Sequence, residues 1–404
     1  MQYKTKNYSN RRTGYNSRTA PRARYNGAAN NGRRGPKKDY IDPGRFVKAA
    51  RPSMSEAYIP QYAFDDFSIN ALIKQNLKDK GFTEPSPIQD KTIPHALNGR
   101  DVIGIADTGT GKTAAFAIPL LNTVMMSDAR ALVVAPTREL AQQIGQEFRS
   151  ISKGSNLKDA VLIGGAGMGA QLRDLRNRPQ IVIGTPGRIK DHLERGSLKL
   201  GGFTMVVLDE VDRMLDMGFV NDVRYILDHL HPQRHSLFFS ATLNKRVNDL
   251  IESFSNDPIT ISIKTGDTSD NVHQDVVYVN HESEKLDKLH DLLIGGDMRK
   301  VIIFDDTQRS VNRLSDALLE RGFKSDAIHG GKSQGQRQRS LAKFKRSEVD
   351  ILVATDVAAR GIDVPDITHV VNYSTPNSYA DYVHRIGRAG RAGNVGYALT
   401  FVSK

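Results

Sequence analysis

Small and charged residues recur at close spacing in Ala106-Asp107-Thr108-Gly109-Thr110-Gly111-Lys112-Thr113, between two apolar runs. Glycines there let the main chain curl until its amide N–H groups face phosphate oxygens. A helix starting at that point adds the positive end of its dipole. At this spacing Lys112 reaches the β and γ phosphates of a nucleotide, and the Thr113 hydroxyl is offered to Mg²⁺. The strict pattern has glycine where this chain has Ala106. Asp209-Glu210-Val211-Asp212 ends another apolar run about a hundred residues later. Asp209 is placed to hold the cation, largely through water, and Glu210 to orient or deprotonate an attacking water. A third cluster, His384-Arg385-Ile386-Gly387-Arg388-Ala389-Gly390-Arg391, supplies arginines able to reach charge developing on a γ-phosphate. If Arg388 and Arg391 belong to a second domain, the site is complete only when two domains close.

Those residues need strands and helices to hold them. Short apolar runs at 102–106, 131–135, 180–184, 205–208 and 236–240 read as buried strands, each bounded by Gly, Pro, Thr or Asp. Helical patterns such as 138–150 separate them, so the strands form a parallel sheet covered on both faces. A second series follows at 300–304, 350–354, 369–372 and 397–402, and the polar stretch 253–271 reads as a hinge. The expected fold is α/β, with an ATP-binding domain over 62–262 and a C-terminal domain over 272–404. Loops at the carboxyl ends of the strands should carry the ligands.

Net charge is +12 over 404 residues, which points to a polyanionic partner. The charge is concentrated at one end: residues 1–50 hold 13 Lys or Arg against 2 Asp. That segment is nearly free of aliphatic residues before Ile41 and is expected to be disordered. Its arginines interleave with Tyr3, Tyr8, Tyr15, Tyr25 and Tyr40, a pattern suited to phosphate contact and base stacking without sequence selectivity. The chain has no cysteine, which excludes disulfides and thiolate metal sites. With neither a signal-peptide core at the start nor an apolar run of bilayer length, a cytoplasmic location is expected.

These residues, in this order, resemble the DEAD-box RNA helicases, within the larger superfamily of two-domain RecA-like helicases. The resemblance runs from about residue 64 to 402. Gly81-Phe82-Thr83-Glu84-Pro85-Ser86-Pro87-Ile88-Gln89 is similar to the family's adenine-reading Q motif, with Phe64 as its isolated upstream aromatic. The resemblance implies ATP and Mg²⁺, with Gln89 satisfying the adenine edge, Phe64 stacking on the base and Asp363 touching the ribose. It further implies that Pro136, Thr137, Arg138, Gly165, Thr185, Gly187, Arg188, Gln334, Arg337 and Thr355 contact RNA. Such contacts go to phosphate and sugar and carry no base code. Asp212, Ser240, Thr242 and His384 are implied to couple the ATP site to strand separation.

Some positions depart from the family pattern. Val211 replaces Ala in the acidic motif, Asp107 stands where Gln is common, Ala389 where Thr is common and Ser374 where Asp is usual. Relatives usually continue beyond the last strand into a closing helix, so with Lys404 last the second domain is expected to be less stable or docked elsewhere. The resulting expectation is RNA-stimulated ATP hydrolysis by a monomer, coupled to local, non-processive unwinding. Two other readings compete: an ATP-gated RNA clamp or annealer dominated by the tail, and a DNA translocase, which the Q motif disfavours.

Overall fold

The computed structural model describes residues 41–50, 58–107, 109–263, 271–296, 298–359, 364, 366–390 and 394–404. The expected roles of Thr108, Asp363 and Arg391 fall outside the described residues, as does the basic tail up to Tyr40.

Two all-parallel sheets organise the chain. The first contains β1 (Val102–Ile105), β2 (Ala131–Val134), β3 (Asp159–Leu162), β4 (Ile181–Gly184), β5 (Met205–Leu208), β6 (His235–Ser240) and β7 (Ile259–Ser262). Their spatial order is β3-β4-β2-β5-β6-β1-β7. The second contains β8 (Val272–Val279), β9 (Val301–Phe304), β10 (Ser325–Ile328), β11 (Ile351–Ala354), β12 (His369–Asn372) and β13 (Gly396–Ser403), in the order β10-β11-β9-β12-β13-β8. Interior strands such as β2, β4 and β5 are buried on both faces, because helices cover each side of a parallel sheet. Each sheet therefore has two apolar cores. In the first, Phe116 and Phe148 lie on one face and Phe203 and Phe238 on the other. Each sheet with its helices forms one lobe, the first and the second in chain order.

Two expectations need correction. The stretch read as a hinge, 253–271, includes β7, in which Ile259 and the buried Ile261 alternate with exposed Thr260 and Ser262 while the strand pairs with β1 in parallel register. Polar composition there reflects an edge strand with one wet face. Residues 41–50, read as the end of a disordered tail, are folded. Asp42 accepts a hydrogen bond from the Gly44 amide at the start of a 3₁₀ turn, Pro43–Phe46, while Ile41 and Phe46 are buried. These two side chains supply the apolar surface that the upstream tail lacks. Among the described residues no helix is long and apolar enough to cross a membrane.

Candidate functional site

The phosphate-loop residues join β1 to helix Lys112–Met126. Gly109 and Gly111 take positive φ, 84° and 95°, in the region that favours glycine. At Gly111 space is also decisive, since a Cβ would lie 2.5 Å from Gln89 Nε2 and 3.0 Å from Ser86 Oγ. Ala106 has no positive φ and is buried, with its N–H donating to the Ser240 carbonyl at 3.1 Å, so glycine is not required there. Lys112 Nζ donates to the Ala106 carbonyl at 2.6 Å, and the Thr110 hydroxyl donates to Asp107 O at 2.8 Å.

Gln89 ties the Q-like segment to this loop. Its Oε1 accepts from the Ser86 amide at 2.9 Å, and its Nε2 donates to Gly111 O at 3.1 Å. Ser86 Oγ donates to Thr110 O at 2.7 Å. The aromatic expectation shifts by one shell. Phe64 is buried edge-on against Phe82 and Phe67, at 5.7 and 6.1 Å between ring centroids, and it does not line the cavity. Phe82 does line it, and Phe64 supports Phe82 from behind.

That cavity, about 640 Å³, is walled from both lobes. The first lobe contributes Lys112, Thr113, Asp209, Glu210 and Gln89; the second contributes Arg388, Lys345, Asp366 and Asn394. Burial pushes the Asp209 carboxyl up to about 7, against the opposing attraction of Lys112. Glu210 caps helix Val211–Asp216 in a left-handed conformation, φ 52° and ψ 56°. Its buried Oε2 accepts no hydrogen bond from a described protein group, and Arg213 Nε stands 3.9 Å away. An orphaned carboxylate oxygen in a phosphate-loop cavity fits a water or ligand partner. The set also fits Mg²⁺, because Thr113 and Asp209 supply oxygens and this ion usually takes the rest from phosphate and water.

Behind the acids runs a hydrogen-bond chain. Thr242 donates to Asp212 Oδ2 through both its amide and its hydroxyl, at 2.9 and 3.0 Å. The Asp212 amide donates to Ser240 Oγ at 3.3 Å, and that hydroxyl donates to Thr242 O at 2.7 Å. The chain crosses to the second lobe where Arg213 Nη1 donates to His384 Nδ1 at 3.1 Å. Val211 is fully buried, so its extra methyl groups are absorbed by packing.

Residues expected to meet RNA cluster at the carboxyl ends of β2, β4 and β3, which are adjacent in the first sheet. Thr137 caps helix Arg138–Ile151, its hydroxyl accepting from the Leu140 amide at 3.2 Å, and Pro136 precedes it. The Arg138 guanidinium lies so close to Gly164 and Gly165 that a Cβ at Gly165 would collide with it. Thr185 and Gly187 open helix Pro186–Glu194, and Arg188 donates to Ala166 O at 3.4 Å. The second-lobe members behave differently. Gln334 and Arg337, on helix Gln334–Lys345, engage the first lobe: Arg337 pairs with Glu139 at 2.8 Å, and Gln334 donates to Gln142 at 2.9 Å and Glu139 at 3.3 Å. Both charges of that pair are buried, and burial lowers the Arg337 guanidinium while Glu139 opposes the shift. In this arrangement the two side chains serve as an interlobe contact. Thr355 follows β11 and starts the turn into Asp356–Ala359.

Three charged residues in or directly beside recognised motifs had no role assigned. Glu139 anchors the interlobe pair, and Arg213 reaches His384. Arg385 is buried and grips Asp356 through two bonds, 2.6 and 2.7 Å, while donating to Ser374 O at 2.7 Å. A charged residue within an apolar helical face was the available signal.

Comparison with known proteins follows the same division. Residues 86–250 match the DEAD/DEAH box helicase family, and residues 284–393 match the helicase conserved C-terminal domain. The chain is 44% identical over 341 residues to the ATP-dependent RNA helicase CshA of Listeria monocytogenes; the match covers 84% of this chain and spans 66% of that relative's length. A DEAD box protein from the hyperthermophile Methanococcus jannaschii is 39% identical and superposes with a TM-score of 0.51, over 86% of this chain and 94% of that one. Dbp5 of S. cerevisiae, bound to RNA and ADP BeF3, is 28% identical with a TM-score of 0.75, over 85% of this chain and 90% of that one. With both lobes matched and the phosphate, acidic and Q-like segments in one cavity, this chain belongs to the DEAD-box family of helicases.

Proposed function

We propose that the protein is an ATP-dependent RNA helicase, in which RNA-stimulated hydrolysis of ATP drives local unwinding of short duplexes or remodelling of RNA–protein contacts. The observation that carries this reading is the shared cavity, with Lys112 and Glu210 on one wall and Arg388 on the other. Residues 62–262 form the ATP-binding domain and residues 272–404 the C-terminal domain. Phosphates are received by the amides of the loop and by Lys112, whose ammonium exchanges the Ala106 carbonyl for a phosphate oxygen. Mg²⁺, held by Thr113 and Asp209, would neutralise charge between the β and γ phosphates. Glu210, whose Oε2 accepts no hydrogen bond from the protein, orients a water and takes its proton, and Arg388 stabilises charge on the transferred group. The chain Asp212, Ser240 and Thr242, with Arg213 and His384, carries the ATP state toward the RNA-facing loops.

Single-stranded RNA would lie along the loops after β2, β4 and β3 and against Thr355. Substrate preference for RNA, a cytoplasmic location and action as a monomer belong to the same proposal. The higher TM-score to the RNA- and ADP BeF3-bound neighbour (0.75 against 0.51), despite lower identity, supports a lobe arrangement suited to both ligands. The deciding experiment measures ATP turnover with no nucleic acid, with single-stranded RNA and with DNA of the same sequence. Stimulation by RNA alone is expected. Equal stimulation by both would favour a DNA translocase, and none at all would refute the reading.

A further inference from the structure

Residues 41–50 precede the first lobe in sequence, yet they pack on the second. Phe46 is buried against Tyr382, with ring centroids 4.6 Å apart, and Arg45 lies 3.7 Å over the ring of Tyr379. Ile41 joins the same cluster with Val272, Ile386 and Ala398. Lys48 forms an antiparallel bridge to Gln274, its N–H donating at 3.0 Å and its carbonyl accepting at 2.8 Å. Gln274 sits on β8, the outer strand of the second sheet, so the segment covers part of an open sheet edge. Tyr382, in turn, donates to the Gln274 side chain at 2.9 Å. This contact surface is one face of helix Tyr379–Ile386, the helix that carries His384 and leads to Arg388.

The other end of the same stretch is anchored on the first lobe. Asp90 accepts from the Tyr58 hydroxyl at 2.5 Å and from the Gln61 and Tyr62 amides at 2.9 and 3.0 Å. Asp90 follows Gln89 on helix Pro87–Leu97. Only residues 51–57 separate the two docked segments, and a chain of that length spans at most about 25 Å, at roughly 3.6 Å per residue.

We propose that the docked segments 41–50 and 58–62, joined by the covalent chain between them, make a second tether between the lobes, with Phe46 and Asp90 as its anchors. Acting through helix Tyr379–Ile386, Phe46 is a positioning residue for Arg388. One end grips the helix that leads to Arg388, and the other grips the helix carrying the Gln89 contact to the phosphate loop. The tether limits how far the two halves of the cavity can part and raises the effective concentration of one for the other. This role rests on the functional reading only for its consequence in turnover; the tether itself can be tested without ATP or RNA.

The chain lacks cysteine, so Glu194→Cys and Glu320→Cys, both at exposed positions on opposite lobes, accept a fluorophore pair without background. The spread of interlobe distances is measured in ligand-free protein for three versions of the full chain. These are the parent, Phe46→Ala, and a form whose seven-residue connector is lengthened about threefold with Gly and Ser. The parent should be narrowest and Phe46→Ala broadest. With ATP and single-stranded RNA, the longer connector should raise the ATP concentration for half-closure about fivefold, since effective concentration falls as the three-halves power of length. Phe46→Ala should raise it more, and Phe46→Leu should restore most of the loss. Amide exchange across β8 should rise in Phe46→Ala and stay unchanged in the lengthened chain, which separates undocking from slackening. Identical distance spreads in all three versions would overturn the tether. A parent that ignores ATP and RNA while showing the expected ligand-free order would refute the functional reading and leave the tether standing.

Discussion

The carboxyl edges of the two sheets carry unequal shares of the site. Over β1, β5 and β6 the first lobe gathers the phosphate loop, Asp209, Glu210 and the Ser240–Asp212 chain, with Lys112, Asp209 and Ser240 already hydrogen-bonded in place. The second lobe brings Arg388 and His384 on and just beyond one helix, together with Gln334 and Arg337 on another. The first edge is equipped to receive a nucleotide by itself. The second adds charge only where the two meet. Residues of the first edge should therefore control binding and chemistry, and those of the second should control the response to RNA.

The sharpest break in that contrast comes from the first lobe. Lys112→Ala should lose ATP binding and turnover together, and Glu210→Gln should keep binding while turnover falls about a thousandfold, checked by fluorescent-nucleotide titration beside phosphate release. Arg388→Ala is the matching test on the other side. It should bind ATP normally and lose RNA-stimulated turnover about a hundredfold or more; weakened binding instead would erase the distinction between the edges. Glu139→Gln targets the seam. Leaving Arg337 buried without its carboxylate should raise the RNA concentration for half-maximal stimulation at least about tenfold, with ATP binding to the first lobe unchanged. The smallest effect belongs to the tail. Removing residues 1–40 should weaken RNA binding severalfold and flatten its salt dependence, with turnover at saturating RNA preserved.

How much of this was legible in sequence depended on burial. Strands such as β2, β4, β5 and β11, covered on both faces, show unbroken apolar runs and are found within a residue of their expected limits. The four strands not anticipated, β3, β7, β8 and β10, are the outer strands of the two sheets. Three of them are only four residues long, and a run such as Ser325-Asp326-Ala327-Ile328 is too short to separate from a loop; in the longer β8 the alternation of buried and exposed residues breaks down at Val276 and Val277. Site residues fixed by local geometry, such as Gly111, Lys112 and Glu210, were found because loop, strand end and helix start adjoin in sequence. Residues whose work is a long-range contact were not. Nothing adjacent to Glu139 announces Arg337, 198 positions later in the chain, and nothing near Phe46 announces Tyr382. The expectation that Gln334 and Arg337 meet RNA rests on the family resemblance of their motif, which does not announce their contact with Glu139.

Glu210 holds its left-handed backbone at a position where most side chains would relax to negative φ. A non-glycine residue in that region costs on the order of 1 kcal/mol, supported by the packing of Val211 and Met214 behind it. Glycine would adopt the same turn without that cost, so Glu210→Gly should melt about 2 °C higher by calorimetry while losing its chemistry. Thermal endurance and turnover thus pull this position in opposite directions. A screen that rewarded heat resistance alone would discard the acid first.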